Sequence, residues 1–295
     1  MRPQKDLAMQ RPWLSDPQVT PINRRDAIWE QVRREAEETS AKEPVLASLI
    51  YATILSEPTF EDAVCHRLAQ RLEHSVDAGL LHKTFHEVLA ADPSLGDVFR
   101  ADLIAVAKRD PACRRLIDPL LYFKGYHALE TFRFAHVLWH AGRHDFALYL
   151  QSLSSRILQV DIHPAARIGS GVMLDHATGI VIGETAVIGD NCSLLHGVTL
   201  GGTGNERGDR HPKIGSGVMM GSGAKILGNI KVGDCVRVAA GSVVLHDVPP
   251  RRTVAGVPAH DIGPAGCEEP ALVMDQLVES QVNCYRSVDA GVGAS

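Results

Sequence analysis

A six-residue period of apolar positions in the C-terminal half constrains the fold of this chain more than any other feature. The apolar residues fall in three registers: Ile162, Ile168, Leu174 and Ile180; then Ile182, Ile188, Leu194 and Leu200; then Ile214, Met220, Ile226, Val232, Val238 and Val244. Small or β-branched residues fill most of the fifth places, and glycine is frequent in the second. Hexapeptide repeats of this kind are typical of a parallel β-helix. The repeat therefore predicts a rigid three-sided coil that begins after Asp161.

Two interruptions break this period. A two-residue slip separates Ile180 from Ile182, and a 14-residue step from Leu200 to Ile214 exceeds two repeat units by two residues. The segment 201–213 is rich in glycine and charged residues, which is the composition of a loop extruded from the coil. Because functional side chains are often carried by loops on a rigid scaffold, we expect the chemistry of this chain at the two interruptions.

The N-terminal half has helical rather than six-residue spacing. Thr59 followed by Asp62 is a helix-start signal, a long helix is predicted from Leu116 to Trp139, and Asp145 is a candidate cap for the next helix. The predicted organisation is a flexible N-terminus (1–21), a helical domain (22–158), a β-helix domain (159–262) and a weakly ordered tail (263–295). The helical domain is expected to act as a scaffold or in oligomerisation.

Composition narrows the class of protein. With 295 residues and 45% hydrophobic side chains, the chain can bury a substantial core. The net charge of -5 and the scattered basic residues argue against a nucleic-acid surface or an anionic-membrane patch. No signal-peptide pattern and no membrane-length apolar run is present, and the six cysteines have no disulfide-framework spacing. We expect an unexported protein with free thiols in the cytoplasm.

Polar residues that a coil does not need gather at the interruptions. Asp175 and His176 stand side by side just before the slip, and Asp161 lies 15 residues earlier, a spacing that permits contact across adjacent turns. A histidine held by a carboxylate through one ring nitrogen is a general base through the other, which contributes typically ~10²- to 10⁴-fold to a rate. Arg210 and His211, in the predicted loop, are candidates to close over the same place.

Other interpretations of these residues stay open at this point. His196 is one coil beyond His176, so these two histidines, together with His211, could bind zinc, as in a β-helix zinc hydratase. A non-enzymatic scaffold that only assembles trimers is a further alternative. Cys192 fills a small inner place of its unit and is predicted to pack rather than to react.

Several linked sequence runs closely resemble serine acetyltransferase. They are Asp161-Ile-His-Pro-Ala-Ala166, Leu174-Asp-His-Ala-Thr-Gly-Ile-Val-Ile-Gly-Glu-Thr-Ala186, Val198-Thr-Leu-Gly-Gly-Thr-Gly204, Gly208-Asp-Arg-His-Pro-Lys213, Gly223-Ala-Lys-Ile-Leu-Gly-Asn229 and, upstream, Arg109-Asp-Pro-Ala112 and Leu120-Leu-Tyr-Phe-Lys-Gly-Tyr-His-Ala-Leu129. The resemblance covers about residues 28 to 262. The predicted fold class is α+β in two parts: an N-terminal all-α helical bundle followed by a left-handed parallel β-helix with an extruded loop.

The resemblance implies transfer of an acetyl group from acetyl-CoA to the hydroxyl of L-serine, the first step of cysteine synthesis from serine. It implies that His176 is the general base, that Asp161 orients it, and that attack is direct, without a covalent enzyme intermediate. By the same resemblance Asp110 and Asp175 hold serine, while Arg210 and His211 bind its carboxylate. All six positions are then expected to form one site.

Acetyl-CoA is expected as a co-substrate, with no permanently bound cofactor and no metal. Coenzyme A would lie in a groove of a trimer, contacting Gly202, Thr203, Ser222 and Ala240, with an oxyanion donor in the segment 201–203. The resemblance also implies a hexamer of two trimers joined through their helical domains, and inhibition by L-cysteine at the serine site.

The C-terminus departs from one feature of the family. Members that bind O-acetylserine sulfhydrylase insert a tail that ends in isoleucine, whereas this sequence ends in Ser295. This departure argues against complex formation by that route. An acyltransferase with a sugar, amine or other alcohol as acceptor is the remaining alternative, but Asp110, Asp175 and Arg210 suit a zwitterion better than a polyol.

Overall fold

The computed structural model describes residues 21–204 and 207–277, and side chains from residue 27 onward. The predicted flexible N-terminus falls almost wholly outside these residues. The helical half contains α1 (Pro21–Lys42), a 3-10 turn (Pro44–Leu46), α2 (Ala47–Ile50) that continues into a π-turn (Tyr51–Leu55), α3 (Phe60–Leu72), α4 (Ala78–Ala91), α5 (Leu95–Arg109), α6 (Ile117–Leu121), α7 (Lys124–His140), α8 (His144–Leu153) and a second π-turn (Ser154–Leu158). The predicted all-helical N-terminal half is confirmed.

The ends of the helices follow local chemistry. The Thr59 side chain accepts a hydrogen bond from the backbone N–H of Asp62 and so caps α3, as the sequence predicts. The prediction of Asp145 as a cap is wrong, because α8 already begins at His144 and places Asp145 in its first turn. An acidic residue there still favours the positive end of the helix dipole.

The predicted long helix from Leu116 to Trp139 is instead two helices, α6 and α7. The backbone of Phe123 is extended, with φ -84° and ψ 110°, which ends one helix and starts the next. The side chain of His127 lies with Nε2 2.7 Å from the carbonyl oxygen of Leu120 and satisfies an acceptor that the break leaves without a helical partner. The break brings the first turn of α7 against the β-helix.

The C-terminal half is a three-sided left-handed β-helix. Its strands are β1 (Val160–Ile162), β2 (Arg167–Ile168), β3 (Met173–Asp175), β4 (Ile180–Ile182), β5 (Val187–Ile188), β6 (Ser193–Leu195), β7 (Thr199–Gly201), β8 (Lys213–Ile214), β9 (Met219–Met220), β10 (Lys225–Leu227), β11 (Lys231–Val232), β12 (Arg237–Val238), β13 (Val243–Val244), β14 (Arg252–Gly256) and β15 (Ala259–Pro264). The first sheet is β1-β4-β7-β10-β13, the second is β11-β8-β5-β2, and the third is β15-β14-β12-β9-β6-β3. Every pairing is parallel except that of β14 with β15.

The six-residue apolar positions form the inside of this coil. All of them are buried apart from Ile168, which is half-buried at the start of the coil. The buried residues of both halves form one continuous hydrophobic cluster. Burial of the repeat positions is the main stabilising term for the coil, because apolar area removed from water contributes roughly 25 cal/mol per Å².

Strand register places the two interruptions at different corners. Met173 pairs with Ser193 and Val181 with Thr199, so the corner after β3 holds two residues more than the corner after β6. The predicted slip is therefore a real insertion at this corner. We call the turns from the third sheet to the first the histidine corner; they comprise 176–179, 196–198, 221–224 and 239–242.

The second interruption is a longer insertion than the sequence suggested. Val187 pairs with Lys213, so the segment after β7 takes the place of one repeat unit and adds eight residues, rather than exceeding two units by two. It is a loop, as predicted, between the first and second sheets. We call the turns on this side the loop corner; they comprise 163–166, 183–186, 202–212 and 228–230.

Charged side chains join the helical half to the coil. Asp102 of α5 is fully buried and accepts hydrogen bonds from Arg133 of α7 at 2.7 Å and from the backbone N–H of Val172 at 2.8 Å. Arg133 also donates to the carbonyl oxygens of Ile168 and Gly169. The helices are thereby fixed against the start of the β-helix.

The beginning of the predicted weakly ordered tail is packed on the protein. A short helix, α9 (Pro270–Val273), buries Ala271, whose carbonyl oxygen accepts a hydrogen bond from Ser193 Oγ at 2.9 Å. Residues 263–277 of the predicted weakly ordered tail include this packed helix, while 278–295 lie outside the described residues. No helix among the described residues is long and apolar enough to cross a membrane.

Candidate functional site

The histidine corner carries the first part of the site. The turn between β6 and β7 is short, whereas the turn after β3 is two residues longer. In this longer turn His176 and Ala177 have positive φ angles of 54° and 59°. That conformation is uncommon for residues other than glycine and marks a constrained turn. It presents the His176 side chain to solvent, with 77% of its surface exposed and Nε2 3.8 Å from Asp175 Oδ1.

A cavity of about 320 Å³ opens beside His176. Asp110, which ends α5, and Asp175, which ends β3, line it together with His176 and the first turn of α7. Burial raises the pKa of Asp175, and the Asp110 carboxylate adds to the rise while His176 opposes it. The structure thus brings three of the predicted site residues to one cavity, and the helical half supplies one of them.

The first turn of α7 shapes the cavity through a close backbone contact. A Cβ added at Gly125 would lie 2.0 Å from the carbonyl oxygen of Leu174, so only glycine allows this approach. Lys124 lines the same cavity and its Nζ lies 2.5 Å from Thr178 Oγ1. Sequence reasoning did not select Lys124, although it stands inside the run Leu120–Leu129 that carried the family resemblance.

Asp161 is not placed against His176 in this structure. Its Oδ1 accepts a hydrogen bond from Gln151 Nε2 of α8 at 2.6 Å, and among the described residues no ion pair joins it to a histidine. Asp161 lies in β1, paired with Val181 of the first sheet. The orienting contact that the resemblance implies is therefore absent from the single described chain.

The loop corner carries the second part of the site, organised around Thr185. The backbone N–H groups of Arg210 and His211 donate to Thr185 Oγ1 at 3.0 and 3.1 Å, and the backbone N–H of Thr185 donates to His211 Nδ1 at 3.2 Å. Arg210 Nη2 donates to Glu184 Oε2 at 2.8 Å. Thr185 and Glu184 were missed by sequence reasoning, although both lie in a run that carried the resemblance.

The electrostatics of the loop corner are set by these contacts. The Arg210 guanidinium lowers the pKa of Glu184, which stays ionised. Burial lowers the pKa of His211, and the charge of Arg210 lowers it further. The loop corner therefore offers a fixed cation and a histidine that is neutral near pH 7.

The two corners lie on opposite edges of the first sheet. Each strand of this sheet starts at the histidine corner and ends at the loop corner, and a three-residue strand spans about 10 Å. Arg210 and His211 therefore do not close over His176 of the same chain. For the same reason the alternative zinc set of His176, His196 and His211 does not converge within one chain.

The predicted coenzyme-binding positions divide between the corners in the same way. Successive turns of the histidine corner stack through backbone hydrogen bonds, from Gly223 to the carbonyl oxygen of His196 and from Gly241 to that of Ser222, each at 2.8 Å. Ser222 and Ala240 thus continue the line that starts at His176. Gly202 and Thr203 instead stand at the loop corner, both exposed.

Cys192, predicted to pack, is buried inside the coil. Burial raises the pKa of its thiol to about 12, so it is not a thiolate near neutral pH. Cys65, Cys192 and Cys235 carry free thiols.

Both halves of the chain match known protein families. Residues 28–131 match the family described as serine acetyltransferase, N-terminal, and residues 211–246 match the bacterial transferase hexapeptide repeat. A serine acetyltransferase of Salmonella typhimurium is 49% identical over 257 residues, which is 87% of this chain and 94% of that protein.

Solved structures agree in fold over the same region. A serine acetyltransferase from Brucella abortus, in complex with coenzyme A, is 59% identical with a TM-score of 0.82 and covers 84% of this chain and 100% of its own. A serine acetyltransferase structure in complex with cysteine is 48% identical with a TM-score of 0.84, covering 85% of this chain and 98% of its own. The chain therefore belongs to the serine acetyltransferase family of hexapeptide-repeat acyltransferases.

Proposed function

We propose that this acyltransferase moves the acetyl group of acetyl-CoA to the hydroxyl of L-serine with His176 as general base. The observation that carries this role is the convergence of Asp110, Asp175 and His176 on one cavity. His176 is the exposed histidine of that cavity, and its ring is free to meet a substrate hydroxyl.

The chemistry requires a base rather than a covalent intermediate. A serine hydroxyl is barely acidic at neutral pH, whereas the thioester is already activated. His176 would take the hydroxyl proton as the oxygen attacks the thioester carbon, and would return that proton to the departing thiolate of coenzyme A. O-acetylserine and free coenzyme A are then the products.

Charge at the two corners suits the two ends of serine. Asp110 and Asp175 are acceptors for the substrate ammonium, and Arg210 and His211 are donors for its carboxylate. Because these pairs stand on opposite edges of the first sheet, we propose that the histidine corner of one copy faces the loop corner of a second copy. A three-fold assembly of β-helices would form three such sites.

The same arrangement would bring together the predicted coenzyme-binding residues, which lie at two different corners of one chain. Ser222 and Ala240 of one copy would flank the coenzyme on one side, and Gly202 and Thr203 of the neighbour on the other. The exposed 202–204 backbone is then available as an oxyanion donor. The helical halves, on this proposal, join two trimers into a hexamer.

Cysteine differs from serine only in a thiol for a hydroxyl. We propose that it competes for the ammonium and carboxylate subsites, and the solved relative in complex with cysteine supports this. An increase of serine concentration is then expected to restore the initial rate at a fixed cysteine concentration. Inhibition that serine does not relieve would contradict a shared site.

The base assignment is tested by thiol release from acetyl-CoA, comparing His176→Ala with His196→Ala. The two rings lie 6.1 Å apart at the same corner, so His196 is a matched control. We expect serine-dependent release by the unmodified protein, a loss of ~10²- to 10⁴-fold in kcat for His176→Ala, and activity close to that of the unmodified protein for His196→Ala. Release without serine, or an active His176→Ala variant, would overturn the proposal.

A further inference from the structure

Three histidines and two carboxylates meet in the helical half, away from the acetyl-transfer site. Glu57 lies before α3, Asp62 and His66 lie on α3, and His82 and His86 lie one helical turn apart on α4. One ligand atom from each of Glu57, His66 and His82 falls within 4.8 Å of the other two. His86 Nε2 lies 3.1 Å from His82 Nε2.

Two of the histidines have a carboxylate at Nδ1. Glu57 Oε1 lies 2.8 Å from Nδ1 of His66, and Asp62 Oδ1 lies 3.5 Å from Nδ1 of His86. A carboxylate at one ring nitrogen fixes the tautomer of the ring and leaves its other nitrogen as an acceptor, the form in which histidine binds a metal.

The spacing of the ligand atoms suits a metal of the zinc class. Zinc bonds of ~2.0–2.2 Å to imidazole nitrogen or carboxylate oxygen in a tetrahedral site place neighbouring ligand atoms about 3.3 Å apart. The ligand atoms of Glu57, His66 and His82 all lie within 4.8 Å of one another, so small rotations of these side chains bring them to that spacing. Imidazole is a favoured ligand for zinc, copper and nickel ions. The neutral Gln70 amide, 2.8 Å from Nε2 of His66, is the group that an ion would displace.

The environment leaves the donors accessible. The side chains of His66 and Glu57 are 26% and 14% exposed, so an ion can reach them from solvent.

We propose that Glu57, His66 and His82, whose ligand atoms lie within 4.8 Å of one another, bind one zinc-class divalent ion per chain, with His86 beside His82. The ion would join α3, α4 and the segment before α3. Acetyl transfer does not require it, because the site at the histidine corner is built from other residues. The role of this second site is a cross-link that stabilises the helical half.

The test measures zinc affinity of the full-length protein by competition with a chromophoric chelator, supported by the visible spectrum of bound Co²⁺. We expect one equivalent of zinc per chain. His82→Ala and Glu57→Ala each remove a proposed ligand and are expected to weaken binding by more than the ~10- to 100-fold that loss of an orienting partner costs. Zinc should also raise the unfolding temperature of the unmodified protein but not of His82→Ala.

A second histidine pair in the same half provides the control. His136 and His140 of α7 have the same helical spacing, with rings 4.5 Å apart, but Nδ1 of His136 contacts the carbonyl oxygen of Pro164 instead of a carboxylate. His140→Ala is expected to bind zinc as tightly as the unmodified protein. Absence of stoichiometric zinc, normal affinity in a correctly folded His82→Ala protein, or equal loss in both variants would overturn the proposal. Serine-dependent activity of His82→Ala reports its folding.

Discussion

At the scale of single residues, the insertion after β3 does most to create a site. It holds His176 at positive φ, lets its side chain reach solvent and places it next to Asp175. The close approach of Gly125 to Leu174 fixes the strand that leads into this turn. A rigid turn of this kind keeps a catalytic side chain oriented without help from the substrate.

The raised pKa of Asp175 predicts how serine binding depends on pH. Because the pKa of Asp175 is raised, its carboxylate loses its charge at a higher pH than an ordinary aspartate would as the solution is acidified. The dissociation constant of serine is therefore expected to rise on the acid side, through loss of the ammonium contact. The measurement is the pH profile of the dissociation constant of serine in the absence of acetyl-CoA, so that protonation of the base His176 does not enter through the chemical step.

Asp110→Asn is the matching variant for this profile. Removal of the Asp110 charge eliminates one cause of the raised pKa of Asp175, so the acid limb should move to lower pH even if the overall affinity for serine falls. An acid limb that stays in place would mean that another group governs it.

At the scale of elements, helices α5 and α7 are joined by a buried cluster of Asp102, Glu130 and Arg133. Arg133 lies 2.7 Å from Asp102 and 3.6 Å from Glu130. Burial raises the pKa of Glu130 well above its ordinary value of 4.5, and the charge of Asp102 adds to the rise. Asp102 also accepts from a backbone N–H, so we assign the negative charge to Asp102 and a proton to Glu130.

This assignment predicts a pH-dependent effect of Glu130→Gln. A group whose pKa is higher in the folded than in the unfolded state contributes stability below its unfolded pKa and loses it as pH rises towards the folded value. Glutamine does not titrate, so the Glu130→Gln variant does not lose this stability. Its free energy of unfolding should therefore increase relative to that of the unmodified protein as pH rises above about 4.5. Urea unfolding across pH 5 to 9 provides the comparison.

Asp102→Asn is the contrasting variant in the same cluster. It leaves Arg133 buried without its charged partner, which typically costs ~3–5 kcal/mol. A constant difference between Glu130→Gln and the unmodified protein at every pH would instead assign the charge to Glu130.

At the scale of the whole molecule, the residues proposed for one reaction stand at two corners of the β-helix. Asp110, Asp175 and His176 meet at the histidine corner, whereas Arg210 and His211 are held at the loop corner by Thr185. A site assembled from two copies reconciles these positions. An exposed β-helix face also has the regular shape that packs against copies of itself.

A shared site predicts recovery of activity when two inactive variants are mixed. Co-assembly of His176→Ala with Arg210→Ala would create interfaces where both contributing corners are intact, about one quarter of the interfaces under random mixing. The measured quantity is the serine-dependent rate after the two proteins are unfolded and refolded together. Either variant refolded alone should remain inactive, and a mixture as inactive as its components would show that each chain holds its own complete site.

The sequence alone determined the type of coil, the location of its interruptions and most of the candidate site residues. The period of six is visible in the sequence because the buried positions of a β-helix recur every six residues. Four polar candidates lie at the breaks of that period: Asp175, His176, Arg210 and His211. The helical half could be recognised by its spacing, but its boundaries could not: the break at Phe123 and the packing of Ala271 depend on contacts with distant residues.

Only the tertiary structure decided which of these residues meet. Asp110 is 65 positions from Asp175, and the packing of α5 and α7 against β3 brings them to one cavity. The spacing of 15 residues permits a contact between Asp161 and His176. In the structure, however, the Asp161 carboxylate accepts a hydrogen bond from Gln151 of α8. The number of residues between two positions indicates which coil each of them occupies. The corner at which a residue lies is set by strand register, and register follows from the packing of each coil on the next.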